Sequence, residues 1–186
     1  MSDSNVRIVG ISGSLRKGSY NAAALRAAKE LAPSGMSIDT FDIAPIPLYN
    51  EDVKQQGFPA PVADLRRRMK EADGLLLVTP EYNYSVSGVL KNTIDWISRP
   101  PEQPFDGKPI AIMGASQGAL GTARGQYHLR QMFIFLNAHV LNRPEVMITQ
   151  AQNKFDAEGK LTDQPTRDLI AQLLMSFRDW IHRLKK

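Results

Sequence analysis

Residues 12–21 place four hydroxyl or amide side chains and one guanidinium within ten positions: Ser12, Ser14, Arg16, Ser19 and Asn21. They follow the apolar run Val6–Ser12 and precede an Ala-rich stretch that lacks Pro and Gly. A strand that runs into a polar, glycine-containing loop and then a helix points backbone N–H groups at an anion. Several hydroxyl donors beside the bidentate fork of an arginine suit a phosphate monoester. The competing reading is a plain helix cap by Ser19 or Asn21. Two other phosphate loops fail. Gly13 and Gly18 have the separation of the triphosphatase loop, but Ser19 follows where a Lys is needed, and no Asp follows Leu75–Val78 to hold magnesium. Gly10, Gly13 and Gly18 do not fit the dinucleotide spacing.

Two further loops carry candidate binding groups. Thr79–Ser85 reads Thr-Pro-Glu-Tyr-Asn-Tyr-Ser after an apolar run. Pro80 restrains its backbone, Tyr82 and Tyr84 offer flat faces, and the amides around Glu81–Asn83 can bond a flat heterocycle. The alternative is a surface turn with two exposed tyrosines. Ser116–Gly125 is glycine-rich, which lets backbone approach a planar ring closely; the alternative is a simple connection.

The elements that must hold these loops alternate strand and helix. Strands are expected at Val6–Ser12, Ser37–Asp42, Gly74–Thr79, Lys108–Ala115 and in the region Val140–Ile148, where Pro144 limits the length. Helices are expected over Asn21–Leu31, Val62–Ala72, Ser87–Ser98, within Gly121–Asn137, and from Asp163 or Thr166 to the end. Residues 43–61 hold four of the twelve prolines and read as a long surface loop. The run Leu75–Val78 is apolar without alternation, as a central parallel strand buried on both faces requires. Leu169, Ile170, Leu173, Leu174, Phe177, Trp180, Ile181 and Leu184 form one stripe at helical spacing, a docking face. Five strand–helix units in series imply a parallel sheet with helices on both faces. In a doubly wound sheet of order 2-1-3-4-5, the first and third strands flank the switch point, so the first two loops reach one crevice.

Composition narrows the chemistry. The 186 residues contain no cysteine, which excludes thiolate catalysis, disulfides and Cys-based zinc sites. The net charge is +4, with a pI near 9.4. Arg66-Arg67-Arg68-Met69-Lys70 and the C-terminal Arg183-Leu184-Lys185-Lys186 read as solvated helix faces. No aromatics interleave with them, so a nucleic-acid partner is not expected. The basic balance instead suits attraction of small polyanions. The polar residues 1–5 lack the apolar core of a signal peptide, and no apolar run is long enough to span a bilayer. A cytoplasmic location is expected. His128, His139 and His182 are dispersed, so structural or surface roles are expected for them.

Five segments together resemble the NAD(P)H-dependent FMN reductases, in the branch of the bacterial quinone and chromate reductases. They are Gly-Ser-Leu-Arg-Lys-Gly-Ser-x-Asn at 13–21, Pro-Leu-Tyr-Asn-Glu-Asp at 47–52 and Thr-Pro-Glu-Tyr-Asn-Tyr-Ser-Val at 79–86, with Gly-Val-Leu-Lys-Asn-Thr-Ile-Asp-Trp at 88–96 and Ala-Arg-Gly-Gln-Tyr-His-Leu-Arg-Gln at 123–131. The resemblance implies a single domain over 1–186. Its fold would be a flavodoxin-like three-layer α/β/α sandwich on a five-stranded parallel sheet of order 2-1-3-4-5, with non-covalent FMN. It implies Ser14, Leu15, Arg16, Ser19, Tyr20 and Asn21 around the phosphate. Pro80, Glu81, Tyr82, Asn83 and Tyr84 would line the isoalloxazine, with Ser116, Gln117 and Gly118 on its other side. One departure stands out: members commonly carry Pro where this chain has Ser87, so the helix that follows should be well capped and the loop slightly looser.

The implied reaction passes a hydride from NADPH or NADH to flavin N5. A quinone, azo compound, free flavin or chromate-type oxyanion then takes the electrons at the same face, a ping-pong scheme that needs no metal or catalytic triad. Arg124 is a candidate for stabilising the reduced flavin, and Arg16 and Arg99 for meeting a 2′-phosphate. The alternatives are a flavodoxin-type electron carrier without small-molecule turnover and a flavin-binding sensor; the basic charge favours the enzyme. The apolar stretch Leu129–Leu136 predicts a homodimer or homotetramer with the crevice near the boundary and Trp96 and Tyr127 at the interface. The alternative is burial of that helix in the core.

Overall fold

Leu75, Leu76, Leu77 and Val78 are all buried, and the strand they form, β3 (Gly74–Val78), lies at the middle of a parallel sheet. The computed structural model describes residues 5–185; the polar run 1–4 and Lys186, both read above, lie outside it. Around β3 stand β1 (Val6–Ser12), β2 (Met36–Phe41), β4 (Pro109–Ala115) and β5 (His139–Val140), in the order β2-β1-β3-β4-β5. The fifth position is shared. β5 pairs with the start of β4 and β6 (Val146–Ile148) with its end. The single strand region expected at 140–148 is thus two short segments, parted around Pro144, which has no amide to give a ladder.

Side chains alternate across the sheet, as the strand period of two requires. Leu76, Val78, Ala111 and Met113 pack with α1 (Tyr20–Glu30) and α6 (Gln164–Leu184). Leu75, Leu77, Ile110 and Ile112 pack with α3 (Ala60–Glu71), α4 (Gly88–Ile97) and α5 (Ala123–Phe135). This is the flavodoxin-like α/β/α sandwich. The α6 stripe docks as expected through Ile170, Leu173, Leu174, Phe177 and Ile181; Leu169 and Trp180 are partly buried and Leu184 is exposed.

Three expectations change. The 43–61 loop contains a short helix, α2 (Glu51–Gln55), capped by Asn50. Its preceding turn is pinned to α4, since Trp96 Nε1 and Asn92 Nδ2 both donate to the Pro47 carbonyl at 2.8 Å. Trp96 is therefore core and not interface. Arg66 does not belong to a solvated face either: it is 6% exposed and donates to the carbonyls of Ile97, the last residue of α4, and of Arg99 and Pro101 beyond it. Its guanidinium meets carbonyls that a helix end leaves without intrahelical partners. Burial lowers its basicity. Arg67 and Arg68 keep to the surface and pair with Asp64.

Candidate active site

The C-terminal ends of β1, β3 and β4 release three loops into one crevice at the switch point between β1 and β3. Backbone bonds set their relative heights. Gly13 N–H donates to Val78 O at 2.8 Å, Thr79 N–H to Met113 O at 2.9 Å and Ser116 N–H to Ile148 O at 2.9 Å. The cleft is open on one side and is lined by Ser14, Arg16, Ser19, Tyr20, Asn21, Pro80, Glu81, Tyr82, Ala115, Ser116 and Gln117. Ten of these are residues predicted from the sequence; Ala115 was missed, because it is the last residue of an apolar strand and carries no polar side chain.

Four predicted residues lie off this cleft. Leu15 is half-exposed and lines a neighbouring groove with Ser87 and Val89. Asn83 and Tyr84 occupy the tip of a tight turn, and Gly118 donates its amide to Ser116 Oγ at 3.1 Å. Ser12, at the end of β1, keeps a buried hydroxyl with no partner among the described residues.

The phosphate loop holds fewer free groups than its composition suggests. Ser19 caps α1, its Oγ accepting the amides of Asn21 and Ala22; the hydroxyl proton stays available to a ligand. Asn21 is committed: its side chain donates to Ala115 O at 2.9 Å and accepts Ala115 N–H at 2.8 Å. It pins the helix to β4 instead of facing an anion. Arg16 donates to Gly18 O at 2.7 Å and lies over the Tyr20 ring. The amides of Leu15, Lys17, Gly18 and Tyr20 donate to no other described residue.

The second loop is a hairpin. Tyr82 and Ser85 exchange backbone hydrogen bonds at 3.0 and 2.9 Å around Asn83 and Tyr84, whose φ angles are 50° and 66°. Two successive positive φ values mark a type I′ turn. It lifts the Tyr82 and Tyr84 rings into solvent, at 55% and 62% exposure. Glu81 points the other way. Its Oε2 accepts the Gly125 amide at 3.0 Å in the first turn of α5, and its Oε1 lies 3.6 Å from Arg124. Arg124 in turn covers Tyr84, 3.8 Å from the ring centroid. Arg99, bonded to Asp95 O and Ser98 Oγ at the end of α4, lines no part of the cleft.

These groups fit a flavin mononucleotide. Free amides at a helix N-terminus, the Ser14 and Ser19 hydroxyls and Arg16 match a phosphate monoester. The space between Pro80–Tyr82 and Ala115–Gln117 is lined by both polar and apolar groups, the chemistry a flat heterocycle needs. Among the described residues, no group of His, Asp and Glu could hold a metal ion.

The family model for NADPH-dependent FMN reductases matches residues 6–153. The chain belongs to that family. The match spans all three loops, and FMN and NAD(P)H are the cofactor and reductant of such an oxidoreductase. An NAD(P)H-dependent FMN reductase of Pseudomonas aeruginosa is 60% identical over 185 residues, covering 100% of both chains. A quinone reductase of Escherichia coli is 49% identical over 183 residues, covering 97% of each. Among solved structures, an NAD(P)H:(acceptor) oxidoreductase from Paracoccus denitrificans superposes with a TM-score of 0.87 at 32% identity, covering 96% of this chain and 98% of the other.

One departure from the family pattern reads differently in three dimensions. Ser87 caps α4, as expected, by accepting Leu90 N–H at 3.3 Å. It also donates to Gly13 O at 2.6 Å, so the loop is tied rather than loosened.

Proposed function

We propose that this FMN reductase moves two electrons from NADPH or NADH, through bound FMN, to quinones, with donor and acceptor using one face in turn. Azo compounds, free flavin and chromate-type oxyanions are further acceptors of the same class. The observation that carries the reading is the cleft itself: an anion cradle and a flat-ring seat lie side by side, with Tyr82 exposed at its rim. Relatives named for quinone reduction support it.

The flavin, when bound, supplies the hydride chemistry. The chain supplies position and charge. Ser14, Ser19, Arg16 and the free loop amides hold the phosphate, while Pro80–Tyr82 and Ala115–Gln117 hold the ring between them. Arg124, engaged by Glu81 and Tyr84, keeps a positive charge beside that seat. The net charge of +4 favours a polyanionic nicotinamide donor over a protein partner, which speaks against the electron-carrier alternative.

Residues 1–186 act as one FMN-binding domain of a cytoplasmic protein. Among the described residues no helix is long and apolar enough to cross a membrane. Leu129 and Phe133 bury one side of α5, but Ile134 and Phe135 remain 80% and 88% exposed. With half-exposed Tyr127 they form an apolar face that supports a homodimer or homotetramer.

The test is anaerobic mixing of the yellow protein with NADPH or NADH, followed by a quinone. Rapid bleaching of the flavin and quinone-driven recovery are expected. A flavin that neither nucleotide reduces would overturn the enzyme reading, and one reduced but not reoxidised by quinone would remove the quinone assignment.

A further inference from the structure

Ser87 is 2% exposed and sits between two loops that are far apart in sequence. Its hydroxyl proton goes to Gly13 O, at 2.6 Å and 74 residues away, while its lone pair receives Leu90 N–H. Both capacities of the hydroxyl are used, and both inside the protein. Gly13 is held on every side. Its amide donates to Val78 O, and a Cβ on it would meet the Leu90 and Pro80 side chains at 3.1 Å. The Gly13 carbonyl is thus the joint at which the 13–19 loop, the end of β3 and the start of α4 come together.

We propose that Ser87 is a positioning residue which, through the Gly13 carbonyl, sets the spacing between the phosphate-holding loop and the ring-holding loop at 80–85. The inference rests on the FMN reading of the cleft. A ligand that reaches both loops feels this spacing; a ligand that reaches one does not. Removing the hydroxyl leaves a buried carbonyl without its partner, and the 13–19 loop can then relax away from the ring seat. The backbone would tolerate the change. Ser87 has a φ of −66°, which proline adopts, and its amide donates to no other described residue.

The experiment compares two ligands on the full-length protein stripped of flavin. FMN carries ring and phosphate; lumiflavin carries the ring alone. Dissociation constants come from flavin fluorescence. Ser87→Ala is expected to weaken FMN about tenfold and to leave lumiflavin unchanged, and Ser87→Thr, which keeps the hydroxyl, restores FMN binding. Ser87→Gly, which also removes the hydroxyl and is tolerated at a helix N-cap, makes the same comparison if the alanine variant does not fold. Equal weakening of both ligands, or of neither, overturns the proposal. A wild-type protein that binds FMN no better than lumiflavin overturns the cleft reading on which it rests.

Discussion

Asn21 and Ala115 exchange a pair of hydrogen bonds, 2.9 Å from the Asn21 amide to the Ala115 carbonyl and 2.8 Å from the Ala115 amide to the Asn21 oxygen. The first turn of α1 and the last residue of β4 are 94 positions apart, yet this pair of bonds joins them directly. The phosphate loop and the third loop start from the two ends of this link.

Asn21→Ala leaves both backbone groups of Ala115 buried without partners. At roughly 1–3 kcal/mol for each unsatisfied group, a loss of about 2–6 kcal/mol is expected from urea denaturation, with weaker FMN binding. Asn21→Asp keeps the acceptor and loses the donor, so it also destabilises. An unshifted urea midpoint for the alanine variant would contradict the pinning role.

Gly114 permits a close crossing inside β4. A Cβ there would lie 2.2 Å from the Thr79 carbonyl and 2.1 Å from Thr122 Oγ1. The carbonyl is backbone and cannot swing aside without moving Pro80. Gly114→Ala should therefore cost about 3 kcal/mol or more, at the top of the overpacking range. A thermal melt showing an unchanged midpoint would be incompatible with this geometry.

Glu81 is a fixed link and not a free acid. Glu81→Gln retains an oxygen for the Gly125 amide and should leave stability nearly unaltered. Glu81→Ala removes the only side-chain acceptor that this amide has among the described residues, and a loss of about 1 kcal/mol is expected, as for a helix cap. Arg124→Ala uncovers Tyr84 and removes the charge beside the ring seat. If FMN affinity and turnover are both unchanged in that variant, Arg124 has no electrostatic role toward the flavin.

Acid stability should depend on Asp73. Burial pushes its carboxyl up, but the Lys185 ammonium at 2.6 Å and the Arg7 amide at 2.7 Å outweigh that and hold it below the ordinary value of 3.8. A carboxyl depressed by folding adds stability above its unfolded value, and that stability disappears as the pH falls through the folded value. Asp73→Asn should flatten the acid limb of a stability-versus-pH curve and lower stability near neutrality. A wild-type curve with the same acid slope as the variant would refute the assignment.

Phe135→Glu places a charge on the most exposed apolar residue of α5. Light scattering should show the assembly falling to a smaller species while α5, held by Leu129 and Phe133, stays folded. A monomeric wild-type protein at micromolar concentration would end the interface reading.

Local chemistry determined a good deal of this molecule. The unbroken apolar run Leu75–Val78 suited a strand buried on both faces, because an edge or half-solvated strand would alternate. The Gly-Ser-rich turn before an Ala-rich helix carried the donors of an anion loop, with a plain helix cap as the alternative, and alternating strand and helix implied parallel order. What the chain could not reveal locally was how each polar group would be used. Asn21 and Ser14 look alike as donors in sequence, but one is consumed by Ala115 and the other faces the cleft. Arg66 sits in a basic run and becomes a buried partner for the carbonyls at and beyond the end of α4. Ser87 looked like a cap and a loosened loop, and it is also the tie to Gly13. A hydrogen bond is satisfied by whatever lies within about 3 Å, and those neighbours lie from 31 to 94 residues away in the chain. Propensity and pattern act over a few residues; only the packed sheet brought such partners together.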